Sequence, residues 1–415
     1  MITDLVPRAH NAHRSLPLLG PILDDFDDWL LSQGYQYDSR KNCLYRFTAI
    51  DRYFHSRKHH NLADLTTEDF RECRRFYAHR PGGIAPIVNC LQRFLLSRQI
   101  VSVPESLPAT PFQVIVDAYR KYLTEVRGLA AITIERHGSV ASEFLQYVLT
   151  KDHAFSLVDL TQDHGERFIT SVSPRFGRGT LQTVISCLRS FLRFLGMQGM
   201  APFGLDACID TPQVYRQERL PRALPWDTVC AFLASIDRTS AAGLRDYALF
   251  SLMTAYGLRG CDIAGLTLTD IDWRASEVHI QQSKTRQPLA LPLTDPVAEA
   301  LIAYLRHARP RSSYRQLFLT VHAPIAPLKR QSAGYAFYFW IKHSGLNIPL
   351  QGVHCLRHSY ALHLLRQGVS LKTIGDLLGH RSTQSTCEYL RLNVDDLREV
   401  ALPLPAALTT EETLS

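Results

Sequence analysis

The sequence predicts a mainly α protein with one small antiparallel β-sheet, arranged as two tandem helical bundles ahead of a larger domain. Three observations predict it. Apolar residues recur at helical spacing along much of the 415-residue chain. The helical segments of residues 21–100 return in the same order in residues 111–200. Beyond both, one stretch alternates apolar and polar residues about a polar tip, the pattern of a β-hairpin.

The first segment, ILDDFDDWLLSQG, sets Ile22, Leu23, Phe26, Trp29 and Leu30 on one helical stripe. Ser39 is placed to cap a second helix that carries Leu44, Phe47, Ile50 and Tyr53. LADLTTEDFRECRRFY and a helix holding Cys90, Leu91, Phe94 and Leu95 complete the set. In the second set IVDAYRKYLTEVRG, TIERHGSVASEFLQYV, LVDLTQDHGERFI and SCLRSFLRFL follow in the matching order. The offset is 93 residues from Ile22 to Ile115, 95 from Leu62 to Leu157 and 97 from Asn89 to Ser186. Turn, cap and core positions that recur so steadily, with shared L-x-D-L-T and C-L-x-x-F-L strings, point to an internal duplication. The expected domains are therefore 1–105 and 111–205, joined by the Pro/Ser-rich SVPESLPATP. A linker is expected over 206–224, within the proline-containing, basic run APFGLDACIDTPQVYRQERLPRALP.

The third domain is expected over 225–402. WDTVCAFLASI and LRDYALFSLMTAYG read as helices, the second apolar nearly all round and so buried. Val278 and Ile280, then Leu289, Leu291 and Leu293, alternate on either side of SKTRQP, which becomes an exposed basic hairpin tip. DPVAEALIAYLRHA is an amphipathic helix with Asp295 as its expected N-cap, and SAGYAFYFWIKHSG is also helical. The Pro- and Thr-rich tail, 403–415, is expected to be loose.

Composition bounds the function. With 46% hydrophobic and 20% charged residues the chain is globular. A net charge of +7 and a pI of about 8.9 suit an acidic polymer as partner. The first residues lack the apolar core of a signal peptide, and no apolar run is long enough to span a bilayer. The nine cysteines include no C-x-x-C pair and read as reduced thiols in a cytosol. The 17 histidines show no metal-ligand spacing, so neither a metal nor another cofactor is expected.

The chemistry concentrates in HCLRHSYALHLLRQGVSLKTIGDLLGHRSTQSTCEY, residues 354–389. His354 and Arg357 are three residues apart, which puts them on one helical face. The Gly368 turn and the Gly379–His380 corner then return His380 and Tyr389 toward that face. Cations, imidazoles and a phenol gathered in this way suit a phosphate.

With AYGLRGCDIAGL, QQSKTRQPLALPL and IGDLLGHRS added in order, the chain resembles the tyrosine recombinase (phage integrase) family. The likeness covers residues 225–400 by motif, and 111–200 by pattern resembles the family's SAM-like, core-binding helical domain. Residues 1–105 are then an addition, a duplicate of that domain.

The resemblance implies the site. Tyr389 is the nucleophile, joined covalently to a DNA 3′-phosphate. Arg259 and Arg357 bind the phosphate oxygens that gain charge, Lys284 is the general acid, and His354 and His380 donate hydrogen bonds. The physical logic agrees. A phenol with a pKa near 10 attacks and later leaves without a cofactor, and arginine grips two oxygens at once. Taken singly, each residue has an ordinary alternative: Arg259 a cap or ion pair, Lys284 a solvated tip charge beside Arg286, Tyr389 a helix residue, His380 a helix C-terminal histidine. Their joint order is what those alternatives do not predict. Asp262, three residues after Arg259, is expected to orient the site, and His358 to be structural behind Arg357. Cys355 departs from the family's frequent Asp or Gly at a position without a catalytic role.

Basic residues among aromatics mark DNA contacts. Arg71, Arg74 and Arg75 lie near Phe70, Phe76 and Tyr77, and Arg286 sits on the hairpin tip. The resemblance implies a cytoplasmic, nucleoid-associated enzyme that recombines specific double-stranded DNA sites through a Holliday junction. It would act as a homotetramer, alone or with companion recombinases, and away from membranes. A mobile element's integration, excision or transposition is the expected role. A type IB topoisomerase, or a non-cutting DNA-binding protein derived from the family, are the rival readings.

Overall fold

A computed structural model describes residues 10–80, 82–101, 111–151, 156–213, 222–283, 287–349, 352–380 and 382–392. Helices α1 (His10–Arg14), α2 (Leu23–Ser32), α3 (Tyr37–Tyr45), α4 (Phe47–Ser56), α5 (Thr67–Tyr77) and α6 (Ile84–Ser97) come first. Then come α7 (Pro111–Glu125), α8 (Ala131–Lys151), α9 (Gln162–Val172) and α10 (Arg178–Met197). The C-terminal part holds α11 (Trp226–Ala234), α12 (Ala241–Tyr256), α13 (Gly260–Gly265), strands β1 (Ile271–Asp272), β2 (Glu277–Gln281) and β3 (Pro288–Pro292), and α14 (Asp295–His307). It ends with α15 (Ser332–His343), α16 (His354–Arg366), α17 (Leu371–Leu378) and α18 (Thr383–Cys387). This is the mainly α fold with one small antiparallel sheet that the periodicities predict.

Two compact units divide the chain. One comprises Met1–His60, Arg80–Phe94 and Arg219–Ser415, the other Asn61–His79 and Leu95–Glu218. Residues 61–79, read from sequence with the first bundle, thus group with the second unit.

In the first unit, Phe26 packs against Phe47 and Phe94 at centroid distances of 4.9 and 5.3 Å, and all three are fully buried. The helix expected from a Ser39 cap is instead two. Gln36 caps α3, and the chain breaks at Arg46, whose amide binds the Cys43 carbonyl three residues back. The break lets Leu44 on one side and Phe47 and Ile50 on the other all reach the core.

The second unit is built on Tyr119, Phe144, Phe168 and Phe191, each fully buried. The Tyr119 hydroxyl meets His137 Nδ1 at 2.9 Å and donates to Ser190 Oγ at 2.9 Å, which satisfies a buried phenol. The chain after α10 stays on this bundle past residue 205: Ile209 is 3% exposed, and Gln182 donates to the Pro212 carbonyl at 2.8 Å. Part of the stretch expected as linker is therefore folded. Residues 214–221, also in that stretch, and the 102–110 connector lie outside the described residues.

The same local device occurs twice. A 3-10 turn at Leu62–Asp64 precedes a capping box formed by Thr66 and Asp69, and one at Leu157–Asp159 precedes a box formed by Thr161 and His164.

The C-terminal core collects Phe232, Leu249, Phe250, Met253 and Phe337, with Phe232 5.2 Å from Phe250 and 5.0 Å from Phe337. Burying each such side chain contributes roughly 1.5–3 kcal/mol. In the sheet, β2 pairs antiparallel with β3 in the register Glu277↔Pro292 to Gln281↔Pro288, and β1 adds Ile271↔Val278. A two-residue β1 is too short to show alternation in sequence. Thr294, not Asp295, is the N-cap of α14; Asp295 is the first helical residue, where its charge suits the helix dipole, and Pro296 follows at a position that needs no N–H donor.

Candidate active site

The site assembles where α12 and α17 end. Both stop on a left-handed glycine, Gly257 at φ +61° and Gly379 at φ +62°. A Cβ on Gly257 would sit 2.5 Å from Tyr360 and 2.7 Å from Leu378, so the close approach needs glycine there. Arg357, on α16, is only 2% exposed. Its Nη1 donates to the Gly257 carbonyl at 2.8 Å and its Nη2 to the Leu378 carbonyl at 2.6 Å. Carbonyls at helix C-termini lack intrahelical partners, so one guanidinium satisfies the ends of two helices.

Leu258, fully buried, sets Arg259 at the start of α13. The Nη1 of Arg259 is buried without a hydrogen-bond partner among the described residues and lies 3.8 Å from Asp262 Oδ2. The other carboxylate oxygen of Asp262 accepts from Ser283 N at 2.9 Å and Ser283 Oγ at 2.7 Å. Asp262 thus touches two neighbours, Arg259 and Ser283.

Tyr389 closes the arrangement. It is 3% exposed and packs with Ala361, Ile374 and Leu378. Burial pushes its phenol above the ordinary range, while Arg357 and Arg259 pull it back. Burial, then the charge of Arg259, brings Arg357 down to about 10, so it stays charged at neutral pH. The His380 ring lies nearly parallel to Tyr389, at 14° and 6.3 Å, and its Nδ1 meets the fully buried Thr386 Oγ1 at 2.8 Å. His354, exposed at the head of α16, has its ring 4.7 Å from His358, which is 5.6 Å from Tyr389.

Arg259, His354, Arg357, His380 and Tyr389 are therefore brought together. Lys284 and Arg286 lie outside the described residues, as does the chain beyond 392, where the sequence leads one to expect a helix after the tyrosine. Arg71, Arg74 and Arg75 lie on α5, in the other compact unit. Arg71 is exposed and paired with Glu68, Arg74 is half-buried and Arg75 exposed. Among the described residues, no group of three or more His, Cys, Asp or Glu is placed to hold a metal ion, and no helix is long and apolar enough to cross a membrane. All nine cysteines are free thiols.

Sequence reasoning passes over several residues of this site. It puts His358 behind Arg357, but the ring neighbours both His354 and Tyr389, its Nδ1 is buried without a hydrogen-bond partner among the described residues, and burial and Arg357 lower its pKa to about 4. Thr386, Gln282 and Ser283 lie within the stretches that carry the resemblance but are given no role there. The one signal for the last two is their place just before Lys284.

Comparison with known proteins identifies the family. The signature of the phage integrase family matches residues 223–395. The Sinorhizobium fredii protein y4rA, named as an inferred integrase/recombinase, is 31% identical over 398 residues, covering 94% of this chain and 96% of its own length. Tyrosine recombinase XerD of Listeria monocytogenes is 28% identical over 69% of this chain and 96% of itself. Among solved structures, XerH bound to a palindromic difH substrate aligns with a TM-score of 0.54 at 19% identity, over 81% of this chain and 97% of that one. A lambda integrase tetramer bound to a Holliday junction aligns with a TM-score of 0.52 at 19% identity, over 75% and 87%.

Proposed function

This chain belongs to the phage integrase family of tyrosine recombinases, and from that premise we propose that it breaks and rejoins DNA through Tyr389. It is a tyrosine site-specific recombinase acting on DNA. The observation that carries the finer reading is Tyr389 itself, buried beside Arg357 with imidazoles on two sides.

In this reading the Tyr389 oxygen attacks the scissile phosphorus. A 3′-phosphotyrosyl bond forms as the bond to the 5′-oxygen breaks, so the phosphodiester energy is kept. The phenol proton passes to His354, and Lys284 gives a proton to the leaving 5′-oxygen. Arg259 and Arg357 hold the non-bridging oxygens. Arg357 has five N–H donors, and its two bonds to backbone carbonyls leave others for phosphate. A bound phosphate also relieves the repulsion between the two guanidiniums, which adds to burial in lowering the Arg357 pKa. His380, held through Thr386, donates a further hydrogen bond. A 5′-hydroxyl from a second duplex reverses the step and joins the new strand.

Two such exchanges through a Holliday junction recombine two sites, with four protomers of this chain assembled on the DNA, alone or with companion recombinases. Residues 1–105 act as an added DNA-binding module duplicated from 111–205. The 3-10 turn and capping box that occur in both stretches support the duplication. The addition favours integration, excision or transposition of a mobile element over housekeeping resolution.

The test is covalent trapping. The protein is incubated with a duplex it selects from a random-sequence pool, nicked just beyond the mapped scissile phosphate so that the cleaved fragment escapes. A protein–DNA adduct is expected from the natural chain and none from Tyr389→Phe. An adduct that survives Tyr389→Phe, or no adduct at all, overturns the reading.

A further inference from the structure

We propose that Gln282 and Ser283 are positioning residues that tie the chain just before Lys284 to the supports of both arginines. The proposal rests on the reading of Lys284 as the general acid.

Strand β2 ends at Gln281, and the Gln282 amide donates to the Gln287 carbonyl at 3.0 Å. The side chains of Gln282 and Ser283 reach in different directions. Ser283 binds Asp262 Oδ1 through both its amide and its hydroxyl, at 2.9 and 2.7 Å, and Asp262 is the carboxylate beside Arg259. Gln282, 1% exposed, donates from Nε2 to the Leu378 carbonyl at 3.2 Å. That same oxygen accepts Nη2 of Arg357 at 2.6 Å. One residue is therefore tied to the Arg259 side of the site and its neighbour to the Arg357 side.

Packing alone does not place Ser283. It lines an open cleft of about 810 Å³ with Cys261, Asp262, Thr267, Gln281 and Arg330. With that much open space on one side, hydrogen bonds must set the direction in which the chain leaves β2. The fit on the other side is tight: a Cβ on Gly379 would come within 2.1 Å of the Gln282 amide oxygen. The consequence is a coupling. The next residue in the chain is the candidate acid, and its starting point is fixed by the groups that hold the two phosphate-binding arginines.

A mere stabilising role makes a different prediction, which leaving-group chemistry separates. Ser283→Ala removes the hydroxyl, and with it the bond to Asp262 and the 3.1 Å contact with Cys261 Sγ, and Gln282→Glu removes the amide donor at constant size. Each is expected to slow single-turnover adduct formation roughly tenfold on an ordinary duplex. The same duplex is then made with sulfur replacing the bridging 5′-oxygen at the mapped scissile position. A thiolate leaves readily without a proton, having a pKa near 8.5 in its thiol. On this substrate both variants should match the natural protein within about twofold, and so should Lys284→Ala, while Ser283→Thr, which keeps the hydroxyl, stays close to the natural rate on both. Slowing that persists on the sulfur substrate in Ser283→Ala and Gln282→Glu, while Lys284→Ala is restored, overturns the positioning role and leaves the acid intact. Failure of Lys284→Ala to be restored overturns the acid assignment and the proposal with it. Thermal midpoints of the variants identify any that do not fold, and Ser283→Ala and Gln282→Glu each test the proposal independently.

Discussion

Arg357 and Leu378 are joined by a 2.6 Å hydrogen bond from Nη2 to the carbonyl oxygen, and the opposite arm of the same guanidinium holds the Gly257 carbonyl at 2.8 Å. The planar fork does two jobs: it fastens two helix ends and presents a charge beside Tyr389. Lysine keeps the charge but is a single point on a flexible stem. Arg357→Lys therefore gives up at least one of the two carbonyl bonds, a cost of about 1–3 kcal/mol. Cleavage should fall at least ~100-fold. Denaturant unfolding together with adduct formation checks both, and a lysine variant as stable as the natural chain would mean that the backbone bonds contribute nothing.

The pH dependence of stability follows from His358. Its pKa is lowered to about 4 by burial and by Arg357, against about 6.5 in an unfolded chain. Between those values the unfolded chain binds a proton that the folded one does not, so stability rises with pH across this window. His358 thus costs nothing above about pH 6.5 and subtracts as much as about 3 kcal/mol as pH falls toward 4. His358→Gln, which cannot titrate, should lose less stability than the natural protein between pH 7 and pH 4.5. Parallel loss in both chains would show that His358 charges as readily folded as unfolded.

The basic face of α5 makes a separate prediction. Arg71 and Arg75 are exposed, and Arg71 is paired with Glu68, an exposed pair worth less than about 1 kcal/mol and easily given up to a phosphate. Replacing Arg71, Arg74 and Arg75 by glutamine should weaken DNA binding about equally for all sequences. It should also reduce the slope of log affinity against log salt by roughly one for each phosphate that is no longer neutralised. An unchanged slope in a salt titration would remove α5 from the DNA interface.

How much of this was legible in the sequence depends on the distance over which each feature is specified. The helical stripes and the β2–β3 hairpin are local patterns, and the structure follows them; the break at Arg46 and the two-residue β1 are settled by what they pack against. The site divides in the same way. Arg357, His380 and Tyr389 share one short run with fixed spacing, and Arg259 follows a buried helix at a recognisable corner. Gln282 and Ser283 matter only because residues 262, 282–283 and 378 converge, and no window along the chain contains all three. His358 looks structural in sequence for the same reason: its neighbour Tyr389 is 31 residues away along the chain.

Gly379 offers the sharpest test of that convergence. Its φ of +62° by itself makes alanine unfavourable, by about 1 kcal/mol. Gly128, in the turn between α7 and α8, has φ +58° and nothing within 4 Å of where a Cβ would go. The two glycines therefore share a backbone penalty and differ in surroundings. Gly128→Ala should cost about 1 kcal/mol and leave cleavage unchanged. Gly379→Ala adds a methyl 2.1 Å from the Gln282 amide oxygen, in a place closed by the Leu378 carbonyl and Arg357. The amide has to leave, and its donor bond to Leu378 goes with it. Stability should then fall by about 1–3 kcal/mol more than in Gly128→Ala, and adduct formation should slow only in the Gly379 variant. Equal losses of stability in the two, with cleavage untouched in both, would show that the Gln282 packing against this corner does not matter to the reaction.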